Sequence, residues 1–327
     1  MKRSTVLALL LLALAAPAAR ADGLPVLGID VGPSGVASPS GNARYVTLSA
    51  GQNTMLARVD PRTGHVLTWR MLHGSWTIPA VAYDWSASGL SADGTRLVLI
   101  EPRAAFPRER TRLMLLDLQG VELRVRRTID LQGDFSFDAI SPRGRLMYLI
   151  HYTSATDPNV YEVRRYDLET GTLAEQAVTD PDEHGTKMGG RPLSRAESRD
   201  GRWDYTLYDG NGSPFVHALD TATSRAHCID LSMLKRKSYW LMGLRLGGGG
   251  TLSVVQGRRP QIAIDLRTFR THAPVTASRP RPSGDGIPWA PVASIFGGLA
   301  AAAALAVLLR RRGAGVTRPD RSPARAS

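Results

Sequence analysis

The chain of 327 residues carries 41 Lys+Arg against 29 Asp+Glu, a formal charge of +12, and a single cysteine. One cysteine excludes an intrachain disulfide, and the length suffices to bury an adequate core without one. The charge does not describe a nucleic-acid groove: residues 22–278 hold 30 basic against 27 acidic residues, and the excess lies at the two ends beside apolar runs, where positive charge sets membrane topology.

Residues 1–21 have the form of a secretory leader. Lys2 and Arg3 precede an apolar Leu/Ala core from Val6 to Ala16, and Ala19-Arg20-Ala21 fits a small-x-small cleavage site with Asp22 as the first mature residue. No cysteine follows the core to take a lipid, and no Arg-Arg pair precedes it, so the general secretory route is expected.

Residues 22–277 then repeat one unit. A first turn recurs as Ser38-Pro39-Ser40-Gly41, Ser91-Ala92-Asp93-Gly94, Ser141-Pro142-Arg143-Gly144 and Ser198-Arg199-Asp200-Gly201, with a degenerate copy at Gly247 to Gly250. A second turn begins at Asp60, Asp117, Asp167, Asp220 and Asp265. The turn glycines are 53, 50, 57 and 49 residues apart, and the aspartates 57, 50, 53 and 45. In the third copy, Leu146 to Ile150 is apolar on both faces, Val160 to Tyr166 is β-branched and aromatic, and Thr172 to Val178 returns as an outer strand. Two turn types interleaving near a period of fifty, with about four short strands in each, predict an all-β fold: a β-propeller of about five four-stranded blades, at about 24–72, 80–131, 135–178, 190–231 and 239–275.

Ser-x-Asp-Gly before a strand, as at Ser91 and Ser198, resembles the repeats of bacterial TolB-type propellers. Asp-x-x-Thr-Gly, as at Asp60 and Asp167, resembles the hairpins of quinoprotein-like and YVTN-type propellers. The stretch Ser198 to Trp203 resembles the Asp-box of sialidase-type propellers, one residue short. These likenesses cover roughly 250 residues and imply a fold, not an activity.

Between blades, Ala104 to Arg112 reads as a charged surface loop and Thr179 to Pro192 as a longer polar one. Residues 278–288 form a Pro/Gly linker. Residues 289–309 contain no charge and are long enough to span a bilayer as a helix, with Trp289 at the outer interface and Arg310-Arg311-Arg312 at the cytoplasmic end. Residues 310–327 are a basic tail. The span resembles the tail of a sortase signal, but no Leu-Pro-x-Thr-Gly precedes it.

No catalytic set emerges. Gly-x-Ser-x-Gly, His-x-His and His-Glu-x-x-His are absent. Asp180 to Gly185 begins like a calcium loop, but Arg191 stands where a bidentate glutamate belongs, so a solvated acidic loop is expected. His151, His217 and His227 read as strand residues, and Cys228 as a buried structural thiol. Trp76, Tyr83 and Trp85 read as packing between blades. Asp84, Asp138, Arg195 and Arg245 fall on inner-strand stretches and are the candidates to line a central channel, where they pair with one another or face water.

These features lead to the expectation of a membrane-anchored extracytoplasmic propeller. It would act as a binding or scaffolding module at the cell surface, with one span, a protein or cell-envelope partner, and no nucleic acid, cofactor or metal. The alternative is an exported, lactonase-like, metal-dependent hydrolase, which fold analogy alone supports. A sensor reading needs a partner, because the tail is too short for a signalling domain.

Overall fold

Short β-branched and aromatic runs, closed by the two recurring turns, make five consecutive antiparallel meanders. The computed structural model describes residues 35–182, 188–234 and 238–274. The first sheet is β1 (Val36–Ala37), β2 (Arg44–Ala50), β3 (Asn53–Val59) and β4 (Val66–His73). The second is β5 (Arg96–Ile100), β6 (Arg110–Gln119) and β7 (Glu122–Gln132). The third is β8 (Phe135–Ile140), β9 (Leu146–Tyr152), β10 (Tyr161–Asp167) and β11 (Thr172–Ala177). The fourth is β12 (Pro192–Glu197), β13 (Trp203–Tyr208), β14 (Phe215–Asp220) and β15 (Arg225–Asp230), and the fifth is β16 (Met242–Leu246), β17 (Thr251–Gln256), β18 (Arg259–Asp265) and β19 (Thr271–His272). Each strand pairs with the next, the element order of propeller blades.

The first turn works alike in four copies. Gly41, Gly94, Gly144 and Gly201 take φ from 63° to 72° and donate to the serine carbonyl at 2.8 Å. The serine hydroxyl then accepts the amide five residues on, from Ala43, Arg96, Leu146 and Trp203. In the second turn, the carboxylates of Asp60, Asp167, Asp220 and Asp265 accept the amides two and three residues on. Gly64 and Gly171 occupy its left-handed position, and in the drifted copies Ser224 (φ 59°) and Phe269 (φ 54°) take the same conformation. The loss of glycine therefore leaves the turn intact.

The second sheet departs from the expected four strands. Its inner place is taken by the segment 77–90, which touches β5 only at Thr77–Ile100 and Leu90–Leu97. Between those bridges the chain doubles back, with Ala80 opposite Ala87, and Trp85 at the tip has φ 62°. Pro79 has no amide to donate to a ladder, which favours the excursion over a regular strand.

Four buried clusters join neighbouring sheets. Leu56 and Leu72 pack against Leu97 and Leu99, Val98 and Leu113 against Phe137 and Leu149, Tyr148 and Val163 against Tyr208 and Leu219, and Leu207 and Val216 against Leu252 and Val254. Among the described residues no such cluster joins the fifth sheet to the first. The free face of the first sheet carries Leu48, Leu67, Trp69 and Met71, all exposed, beside Met55 and Val46.

The loop Ala104 to Arg112 is largely exposed, as expected, and its last residues begin β6. Within it Arg108 turns inward and bonds the carbonyls of Glu101 and Phe135, and just before it the buried Arg103 donates to Asp134 (2.6 Å) and Ser136 (3.1 Å). The buried Asp134 carboxylate recruits both cations. The expected leader 1–21, linker 278–288, span 289–309 and tail 310–327 lie outside the described residues. Among the described residues there is no helix long and apolar enough to cross a membrane.

Candidate functional site

Three of the four channel candidates meet where β8, β12 and β13 approach the hairpin at 80–87. Arg195 on β12 is 5% exposed at its side chain and pairs with Asp138 on β8 and with Asp204 on β13, the latter at 3.0 Å. Its guanidinium also donates to the Asp138 carbonyl at 3.0 Å. The exposed Asp84 accepts from the Arg195 amide at 3.4 Å. The hairpin tip that carries it closes the space: the amides of Tyr83 and Asp84 donate to the carbonyls of Pro192 (2.9 Å) and Leu193 (3.2 Å). Beside Asp138 a void of only about 10 Å³ remains, the size of one water. Arg245 does not join them; it is exposed on β16 and takes part in no ion pair among the described residues.

Two buried carboxylates share one cation here. Burial and the charges of Glu197 and Asp138 push Asp204 up to about 8, against the pull of Arg195. Arg195 is held above its usual range: Asp138 and Asp204 outweigh the cost of its burial. The cluster is a neutralised plug, not a mouth for a polar ligand.

The space for a guest lies between the third and fourth sheets. A cleft of about 560 Å³ is walled by Tyr161, Val163, Val178, Met188 and Phe215. His217 on β14 lies in its wall, 2% exposed, and its Nε2, closed to solvent, has no hydrogen-bond partner among the described residues. Burial lowers its pKa to about 4, so the ring is neutral near pH 7. Cys228 lies directly opposite on β15. Its amide donates to Asp180 Oδ2 at 2.7 Å and so points away from β14, which makes His217–Cys228 the narrow kind of antiparallel pair, with Cα atoms about 4.5 Å apart.

Two expectations change at this cleft, while His217 is the strand residue expected, on β14 in its wall. Cys228 is half-buried and borders that volume. Asp180 is no solvated loop residue: it is buried, accepts from Cys228 and Asp182, and ties the loop to the edge of β15. Arg191, at the position expected for a calcium-binding glutamate, pairs with the buried Asp209 at 2.8 Å and lies over the Trp240 ring at 3.9 Å. Asp180, Asp182 and His227 could each offer one atom to a metal, all within 4.8 Å. The Asp180 oxygens in that group already accept amides, and no fourth ligand joins the group among the described residues.

The aromatic trio also separates. Trp76 is buried in the cluster between the first and second sheets, as expected, but Tyr83 sits in the hairpin tip and Trp85 is 49% exposed.

Neither a protein-family model nor a curated protein matches the chain. Solved structures do. TolB from Acinetobacter baumannii is 17% identical at a TM-score of 0.37, over 73% of this chain and 51% of that one, so the chain spans about half that protein's length. An oligogalacturonate lyase in complex with manganese is 15% identical at 0.42, over 73% of this chain and 63% of that one. The β-propeller domain of Cps50 (Swd1) from Myceliophteria thermophila is 12% identical at 0.39, over 75% and 66%. These likenesses are remote, and the fold is read from the sheets themselves.

Proposed function

We propose that the chain is a membrane-anchored, extracytoplasmic propeller module that binds a small ligand at the cell surface. The observation that carries the binding half is the cleft: it has ligand-sized volume and apolar walls. The location half is supported by the leader, the charge-free 21-residue run and the three arginines after it. The exposed Leu48, Trp69 and Met71 on one face of the first sheet support a protein contact as well.

The location is tested by adding protease to intact cells that express the full chain with a C-terminal epitope tag. Trimming to a short tagged, membrane-bound fragment is the expected result. A full-length product that resists protease until the cells are opened would sink the surface reading.

A further inference from the structure

The cleft between the third and fourth sheets is lined by three carboxylates, Glu162, Asp180 and Asp230, and by no Lys or Arg among its described residues. Glu162 is compensated by Arg164 (3.0 Å) and His151 (3.2 Å). Asp180 is buried and answered by amides only. Asp230 is exposed and, among the described residues, accepts only the Ser232 amide. The described mouth is therefore negative, and the walls are apolar and aromatic. An anion would meet like charge there, and a purely apolar guest would cover Asp230 without pairing it.

We infer that the cleft takes an amphiphilic amine: a cationic ammonium group at the Asp230 side and an apolar or aromatic body against Tyr161 and Phe215. This rests on the reading of the cleft as a ligand site and names its ligand class. A volume of about 560 Å³ suits a small organic cation rather than a peptide or a polymer.

The test uses the detergent-solubilised full chain, with EDTA present, and three probes that share one ring system: tryptamine (cation), tryptophol (neutral) and indole-3-acetate (anion). Binding is measured by calorimetry and by shift of the melting temperature. Tryptamine is expected to bind best, tryptophol about tenfold more weakly, and indole-3-acetate not measurably. Asp230→Asn keeps the oxygen that accepts from Ser232 and removes the charge; it should weaken tryptamine about fivefold and leave tryptophol unchanged. Ala177→Trp, which fills the cleft from the end of β11, should abolish binding of both, with the unliganded melting temperature as the control for folding. If tryptophol or indole-3-acetate binds as well as tryptamine, the amine class is overturned while the cleft remains a ligand site. If tryptamine binds equally to Ala177→Trp, the cleft itself is the wrong place. No binding of tryptamine at millimolar concentration overturns the inference outright.

Discussion

Around Arg195 two buried carboxylates meet one cation, and beside Asp138 lies a void of about 10 Å³, room for a single water. In the cleft between the third and fourth sheets about 560 Å³ is open, and Asp230 at its rim is exposed. Both regions hold carboxylates beside apolar side chains. The Arg195 cluster offsets the cost of desolvation with opposite charge and becomes structure. The cleft keeps its rim carboxylate in water next to apolar walls, where a cationic guest can pair with it. A polar cluster on inner strands is thus a poor guide to a site when its members can satisfy one another, and an open apolar wall beside an unpaired charge is a better one.

The largest effect should come from breaking the plug. Arg195→Met leaves Asp138 and Asp204 buried without their cation, and should cost about 3–5 kcal/mol in urea unfolding of the full chain in detergent. Adding Asp138→Asn and Asp204→Asn to that variant should recover most of the loss. A cost below about 1 kcal/mol for Arg195→Met would show that the cluster is hydrated and that the plug is not structural.

A smaller effect separates the two regions by pH. Asp204 is raised from 3.8 to about 8 in the folded protein, so the folded state holds a proton that the unfolded state has lost. Its contribution is full below the unfolded pKa and is lost as pH rises toward 8. His217 is lowered from 6.5 to about 4, so the unfolded state takes the proton first. Its contribution is full above pH 6.5 and is lost as pH falls toward 4. Between pH 4 and 6.5 the two oppose each other, each at about 1.4 kcal/mol per pH unit, and the native chain should look nearly flat. Asp204→Asn should unmask stability that rises with pH over that window, and His217→Phe stability that falls. Urea midpoints at half-unit pH steps decide it; parallel curves for the two variants would mean that neither group titrates as its burial demands.

Much of the frame was legible because the two turns are local. Ser-x-x-Gly and the aspartate turn carry their own hydrogen bonds, so five sheets could be placed within a few residues. The second inner strand was not legible: Pro79 and the positive φ of Trp85 send the chain across to β12, and that partner lies over a hundred residues away. Asp138 and Arg195 pair with each other, one of the two outcomes the sequence allowed, and Asp84 reaches the Arg195 amide, while Arg245 is exposed on β16. The cleft was half legible. The turn after Asp220 sets Asp220 opposite Arg225, and counting three residues outward on each side puts His217 opposite Cys228. What no counting supplies is that Asp180, from the loop after β11, caps the edge of β15 and holds the cleft's rim.

The smallest prediction probes why the turns survive without glycine. Ser224 holds φ 59°, a conformation that costs an L-residue roughly 1–2 kcal/mol, but its hydroxyl lies 2.8 Å from the Tyr148 hydroxyl on the neighbouring sheet. That bond returns about 0.5–1.5 kcal/mol. Ser224→Gly removes both the strain and the bond, and should leave stability within about 0.5 kcal/mol of the parent. Ser224→Ala keeps the strain and removes the bond, and should cost about 1 kcal/mol. The ordering, glycine more stable than alanine, is the reverse of what backbone entropy alone gives in a regular strand. Equal urea midpoints for the two variants would show that the left-handed turn costs nothing at this position, and that the loss of glycine from the fourth and fifth copies needed no compensating contact at all.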